Sequence, residues 1–80
     1  MTTTEFNILP LHHQAPIVWQ EGKFMETISY YGYQVNLYAL FDFFVEVYYS
    51  EHQNAIHKIE AVNLSALNKF LNRIDLGDLE

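Results

Sequence analysis

Between residues 23 and 62 the apolar side chains recur with a period closer to two than to 3.6, and turn-forming residues interrupt them at short intervals. Alternation of that kind marks half-buried strands joined by tight turns, because successive strand side chains point to opposite faces. The pattern predicts strands at about 23–30, 33–40, 43–49 and 55–61, an antiparallel meander in sequential order. Turns fall at 31–32, 40–42 and 50–54. Gly32 reaches positive φ without steric cost, and Asp42 tolerates the left-handed conformation that closes a three-residue hairpin.

Register follows from the faces, since a slip of one residue moves every apolar side chain to the other side. A two-residue first turn pairs Ile28 with Val35. A three-residue second turn pairs Leu37 with Val45 and Val35 with Val47. A five-residue third loop pairs Val45 with Ile59 and Val47 with His57, and sets Glu46 opposite Lys58, a favourable cross-strand pair. One face then carries Phe24, Ile28, Tyr30, Tyr33, Val35, Leu37, Ala39, Phe43, Val45, Val47, Tyr49, Ile59 and Ala61, and is the expected core. The other carries Met25, Thr27, Ser29, Gln34, Asn36, Tyr38, Leu40, Phe44, Glu46, Tyr48, Ile56, Lys58 and Glu60.

The ends of the chain read as helical. Ser65 is a good N-cap, and Leu67, Phe70, Leu71 and Ile74 follow at i, i+3, i+4 and i+7, a narrow apolar stripe on a helix at about 65–74 that would cover the core face. Lys69 and Arg73 suit its negative pole, and Gly77 lies past its stop. In the first 22 residues Thr4 can cap one turn through Phe6 and Leu9 before Pro10 interrupts it, and His12, His13 and Gln14 read as loop. Pro16 suits a first helical position, with Trp19 toward the core and Gly22 as a left-handed stop. The β-branched pair Ile17 and Val18 fits a short strand equally well.

Composition sharpens this picture. Eighty residues make one domain, 1–80, too short to bury a large core without big side chains, and thirteen aromatics (six Tyr, six Phe and Trp19) supply them. The net charge of −6 and four scattered bases, Lys23, Lys58, Lys69 and Arg73, argue against nucleic acid or an anionic membrane as partner. Absence of cysteine excludes a disulfide framework and a thiolate zinc site. Residues 1–7 carry no positive charge and lead into no sustained apolar run, so neither a secretory signal nor a membrane span is expected, and the expected compartment is the cytoplasm.

Catalytic chemistry finds little support. His12 and His13, adjacent in an extended loop, would diverge and hold no metal. His57 is aimed at the apolar face by its pairing with Val47, and reads as a core-edge histidine before a catalytic base. Glu46 would be its natural carboxylate partner but lies on the other face. Asp42 and Glu46 are about 13 Å apart along a strand at about 3.3 Å per residue, too far for a glycosidase pair. Ser29, Ser50 and Ser65 have no glycine elbow, and the three isolated glycines form no phosphate cradle.

The run Tyr31-Gly32-Tyr33-Gln34-Val35-Asn36-Leu37-Tyr38, followed by Phe43-Phe44-Val45-Glu46-Val47-Tyr48-Tyr49 and by Ile56-His57-Lys58-Ile59-Glu60, resembles a group of short uncharacterised bacterial proteins. The resemblance extends over roughly residues 19–76, with Ile74-Asp75-Leu76 near its end, and implies no activity and no site residues. The expectation is therefore an α+β domain: a four-stranded antiparallel meander packed by a C-terminal helix, with a short N-terminal helix or irregular segment. The expected function is non-enzymatic and cofactor-free, an interaction module that binds itself as a homodimer, or another protein, through Asn36, Tyr38, Phe44, Glu46, Tyr48 and Lys58. Two alternatives stand beside it: a small-molecule pocket between the sheet and the N-terminal segment, fixed by Tyr38, Asn36 and Glu46, and an enzyme using His57. If the N-terminal segment instead folds over the second face, that face simply extends the core.

Overall fold

A computed structural model describes residues 1–63; the helix expected at about 65–74, with its stop at Gly77, lies outside the described residues. Two helices, α1 (Thr3–Asn7) and α2 (Leu11–Glu21), precede four strands, β1 (Lys23–Tyr30), β2 (Tyr33–Leu40), β3 (Phe43–Ser50) and β4 (Ala55–Val62). The strands form one antiparallel sheet in the order β1-β2-β3-β4. The α+β class, the meander and its strand positions are as expected from the alternation.

The turns decide the rest. At the first, Tyr31 and Gly32 both have positive φ (49° and 85°), the backbone of a tight two-residue hairpin, and Ile28 pairs with Val35 as expected. The second turn is shorter than the three residues predicted. Leu40 pairs with Phe43, and Phe41, not Asp42, takes the left-handed conformation at φ 56°. That one-residue difference sets Leu37 opposite Glu46 and Val35 opposite Tyr48, so β3 presents the opposite alternate residues to each face of β2.

The third connection also departs from expectation. Ser50 pairs with Ala55, Asn54 closes the loop at φ 52°, and a bulge follows as Tyr49 meets Ile56 but Tyr48 meets Lys58. His57 is the extra residue of that bulge. Val47 therefore faces Ile59 instead of His57, Val45 faces Ala61 instead of Ile59, and Glu46 faces Glu60 instead of Lys58.

The apolar residues assigned to a single core are consequently divided between two. On one face Leu40, Phe43, Val45, Val47, Ile59 and Ala61 bury themselves with Phe6 of α1 and Val18 of α2. On the other, Ile28, Val35, Leu37 and Tyr48 form a second buried cluster with Tyr30, Tyr33 and Phe44 beside it. Phe24, expected in the core, is 53% exposed.

The N-terminal third is more helical than its prolines suggested. The cap of α1 is Thr2, not Thr4, because only Thr2 has a glutamate three residues on. The Thr2 hydroxyl accepts from the Glu5 backbone N–H at 3.1 Å, and the Thr2 N–H donates to Glu5 Oε1 at 2.7 Å. Helix α2 begins at Leu11 and runs through Pro16, which had been expected to start it, so His12, His13 and Gln14 are helical and not loop. This longer helix places Gln14 and Val18, four residues apart, against the molecule and turns Trp19 outward, 51% exposed. Buried Gln14 donates through Nε2 to the Phe6 carbonyl at 3.1 Å, joining the helices. Gly22 ends α2 with extended, not left-handed, backbone (φ −82°). Its requirement is space: a Cβ there would lie 2.6 Å from the Val18 carbonyl oxygen.

Candidate interaction surface

Three elements converge on Tyr38. It pairs across the sheet with Phe24 of β1, and the two rings meet edge to face at 5.7 Å and 75°. From the end of α2, Trp19 meets the same ring at 5.8 Å and 62°. Gly22 lets the chain turn from α2 into β1 against Tyr38, whose Cδ2 would be 3.4 Å from a Cβ on that glycine. Beside Phe24, Met25 is the residue skipped where the β1–β2 register shifts, and it is half exposed. Trp19 and Phe24 thus flank half-buried Tyr38 with large apolar side chains open to water, and Met25 is exposed next to Phe24 in the chain. Edge-to-face packing holds the rings in fixed orientations, so the patch is ordered before anything binds.

The six residues expected to form one surface do not share a face. Tyr38 and Asn36 lie on the face covered by the helices, where Asn36 Oδ1 accepts from the Thr27 hydroxyl at 2.7 Å. Phe44, Glu46, Tyr48 and Lys58 lie on the reverse, because the two-residue turn moved β3 by one. There the Tyr48 hydroxyl donates to Glu46 Oε1 at 2.9 Å, with Glu46 only 1% exposed. Lys58 holds its ammonium 4.5 Å above the Tyr48 ring and 3.6 Å from Glu60. Tyr33 links this group to His57, its ring 5.9 Å from Tyr48 and 5.1 Å from the imidazole.

His57 is exposed in its bulge and not aimed into an apolar face, and its contact with Tyr33 puts it on the same side of the sheet as Glu46. The expected separation of those two groups by the sheet is thereby corrected. His12 and His13 do not diverge; they sit in the first turn of α2 with ring centroids 4.4 Å apart. Among the described residues no group of three His, Cys, Asp or Glu is placed to hold a metal ion. The Glu5 carboxyl is held below its ordinary value by the Thr2 backbone N–H and, secondarily, by the Thr2 hydroxyl, which is helix capping far from the aromatic patch.

A cleft of about 450 Å³ opens between the N-terminal residues and the β2–β3 turn, lined by Thr2, Thr3, Asp42, Phe43, Phe44 and Asn63. None of Tyr38, Asn36 and Glu46, expected to line a pocket in that region, reaches it. Trp19 and Phe24 were both assigned to the core from sequence. The available signal was the adjacent pair Phe24 and Met25, two apolar residues in succession that break the alternation and mark the bulge. Comparison with protein-family models, with curated proteins and with solved structures gives no match.

Proposed function

We propose that this chain is a non-enzymatic interaction module that binds protein, a second copy of itself first, through the aromatic patch around Tyr38. The observation that carries the reading is the exposure of Trp19 (51%) and Phe24 (53%) against one ordered tyrosine ring. Tryptophan and tyrosine in preformed clusters are the residues from which protein interfaces draw most of their binding energy. Among the described residues no helix is long and apolar enough to cross a membrane, and the reading places the protein in the cytoplasm, beside the short bacterial proteins its strands resemble. It also includes a C-terminal helix at about 65–74, whose apolar stripe packs the sheet.

Replacing Phe24 with Arg tests the interface without touching a buried residue. The native chain is expected to sediment above the 9.4 kDa protomer mass, and the variant at that mass with an unchanged far-ultraviolet spectrum. A native chain that stays at the protomer mass at every concentration would sink self-association. The cleft beside Thr2 and Asp42 supports a second reading, a small-molecule site of modest size. Its signature is a non-protein mass retained in a native mass spectrum, lost when Phe44 is replaced by Trp.

A further inference from the structure

The turn between β2 and β3 holds a residue that local physics disfavours there. Of its two residues Phe41 has positive φ (56°) and Asp42 does not. Hairpin turns with positive φ at the first position favour glycine, because a Cβ in that region crowds the backbone. The fold gains little in return: the Phe41 ring meets Phe43 at 6.0 Å and is still 57% exposed. Strain kept at an exposed position points to a role outside the folded protomer.

Beside this ring lies a cleft of a size that suits one. Its walls are Phe43 and Phe44, the two residues after the turn, together with Thr2, Thr3, Asp42 and Asn63, and they enclose about 450 Å³. A cavity of roughly 150 Å³ already holds benzene, so there is room for a phenyl ring and the turn that carries it. Phe41 is not among the walls although its neighbours Asp42 and Phe43 are, so each protomer presents a ring next to a cleft that its own ring leaves open.

The geometry points to a reciprocal contact between two copies of this chain, in which Phe41 of each enters the cleft of the other. The contact rests on the self-association of the preceding reading and goes beyond it by naming the anchor and its receptor. Two features commit the cleft to a second copy. Ring and cleft belong to the same hairpin, so a single two-fold axis beside the turn satisfies both at once, as an isologous interface requires. The turn also lies at the same end of the sheet as the aromatic patch, since Lys23 pairs with Ala39 and both Trp19 and Phe24 meet Tyr38. A copy held by the patch is therefore brought to the end from which Phe41 projects. An aromatic ring seated in an apolar pocket, on backbone ordered before binding, is the kind of contact that dominates an interface.

The test uses the full chain. Sedimentation over a dilution series gives the dissociation constant, and urea unfolding below that constant gives stability without a contribution from association. Phe41→Gly is expected to raise the dissociation constant about tenfold or more while the urea midpoint holds or rises, because an anchor is lost and glycine suits the backbone. Phe41→Tyr keeps the ring and should stay within about threefold of the native chain. Thr3→Phe narrows the cleft without touching Phe41 and should weaken association about as much as Phe41→Gly; should it unfold α1, the Phe41 variants decide. Tyr31→Gly, at the other positive-φ aromatic and the far end of β2, should leave association unchanged. A urea midpoint that falls in Phe41→Gly assigns the ring to the fold and overturns the contact. If Phe24→Arg dissociates the chain and Phe41→Gly does not, the preceding reading stands and this contact alone falls; a native chain at the protomer mass at every concentration removes both. A non-protein mass retained by the associated native chain and lost in Thr3→Phe gives the cleft to a small molecule, and likewise overturns it.

Discussion

The two faces of this sheet are lined by alternate residues of the same strands, yet they are held by different means. On the helix-covered face the contacts are aromatic and aliphatic, Phe6 meeting Phe43 at 6.1 Å and Val18 closing over the middle of the sheet. The reverse face surrounds a buried carboxylate, Glu46, with the Tyr48 hydroxyl bonded to it. An apolar face accepts many arrangements at similar free energy, whereas a buried carboxylate is satisfied by few. The comparison teaches that the turn between β2 and β3 decides which residues join which of the two clusters.

The largest way to break the comparison is to remove the helical cover while leaving the reverse face alone. Phe6 is fully buried, and the smallness of α1 leaves few neighbours to fill its space. Phe6→Ala is expected to cost about 3–5 kcal/mol, read from the urea midpoint. Trp19 and Val18 signals should change and those of Tyr48 and Val35 should not, as long as the sheet remains folded. A loss below about 1 kcal/mol would mean that α1 contributes little to that cover.

How much of this was legible in the sequence depends on which physical feature set each element. Strand positions were readable within one residue, since alternation and Gly32 are written directly in the residue types. The face assignment was not, because it depended on Phe41 adopting positive φ, and nothing in a phenylalanine announces that conformation. Asp42, the residue with the better left-handed propensity, was the rational choice and was wrong. The bulge at His57 likewise has no residue signature, and together with a third loop one residue shorter than expected it moved the β3–β4 pairs by two. In the candidate interface Tyr38 was found by its position opposite the alternation, while Trp19 and Phe24 were lost to the core. Their exposure follows from α2 starting at Leu11, ahead of a proline that usually begins helices, and from the irregularity at Met25.

A second, smaller perturbation sharpens the comparison at the sheet edges, where the helix-covered side is tied down. Asn7 at the end of α1 treats β4 as a strand partner would: its Nδ2 donates to the Ala61 carbonyl at 2.9 Å and its Oδ1 accepts from the Ala61 N–H at 2.7 Å. The opposite edge uses its own strand, with Glu26 Oε1 accepting from the Thr27 N–H at 2.9 Å next to the irregularity at Met25. Both devices withhold edge groups from further pairing. Asn7→Ala is expected to lose about 1–2 kcal/mol and to speed amide exchange at Ala61 without affecting Thr27. Equal exchange at Ala61 in both proteins would show that the Asn7 pair does not tie α1 to the edge of β4.

The smallest expected effect lies at the first turn of α1, where the capping box starts the element that carries Phe6 and Asn7. Thr2→Ala removes the hydroxyl that accepts from the Glu5 N–H and should cost about 0.5–1 kcal/mol. Glu5 gives the same contact a pH signature. Its carboxyl is lowered in the folded chain by the Thr2 backbone N–H, so the unfolded chain binds a proton first as the solution is acidified. The contribution is accordingly present above the unfolded carboxylate range and is lost as pH falls through the lower folded value. Glu5→Gln should therefore be less stable than the native chain near neutrality and indistinguishable from it in strong acid, in paired urea titrations at several pH values. A difference that persists unchanged into strong acid would mean that the glutamine disturbs α1 sterically and that the Thr2–Glu5 pair is not what starts the helix.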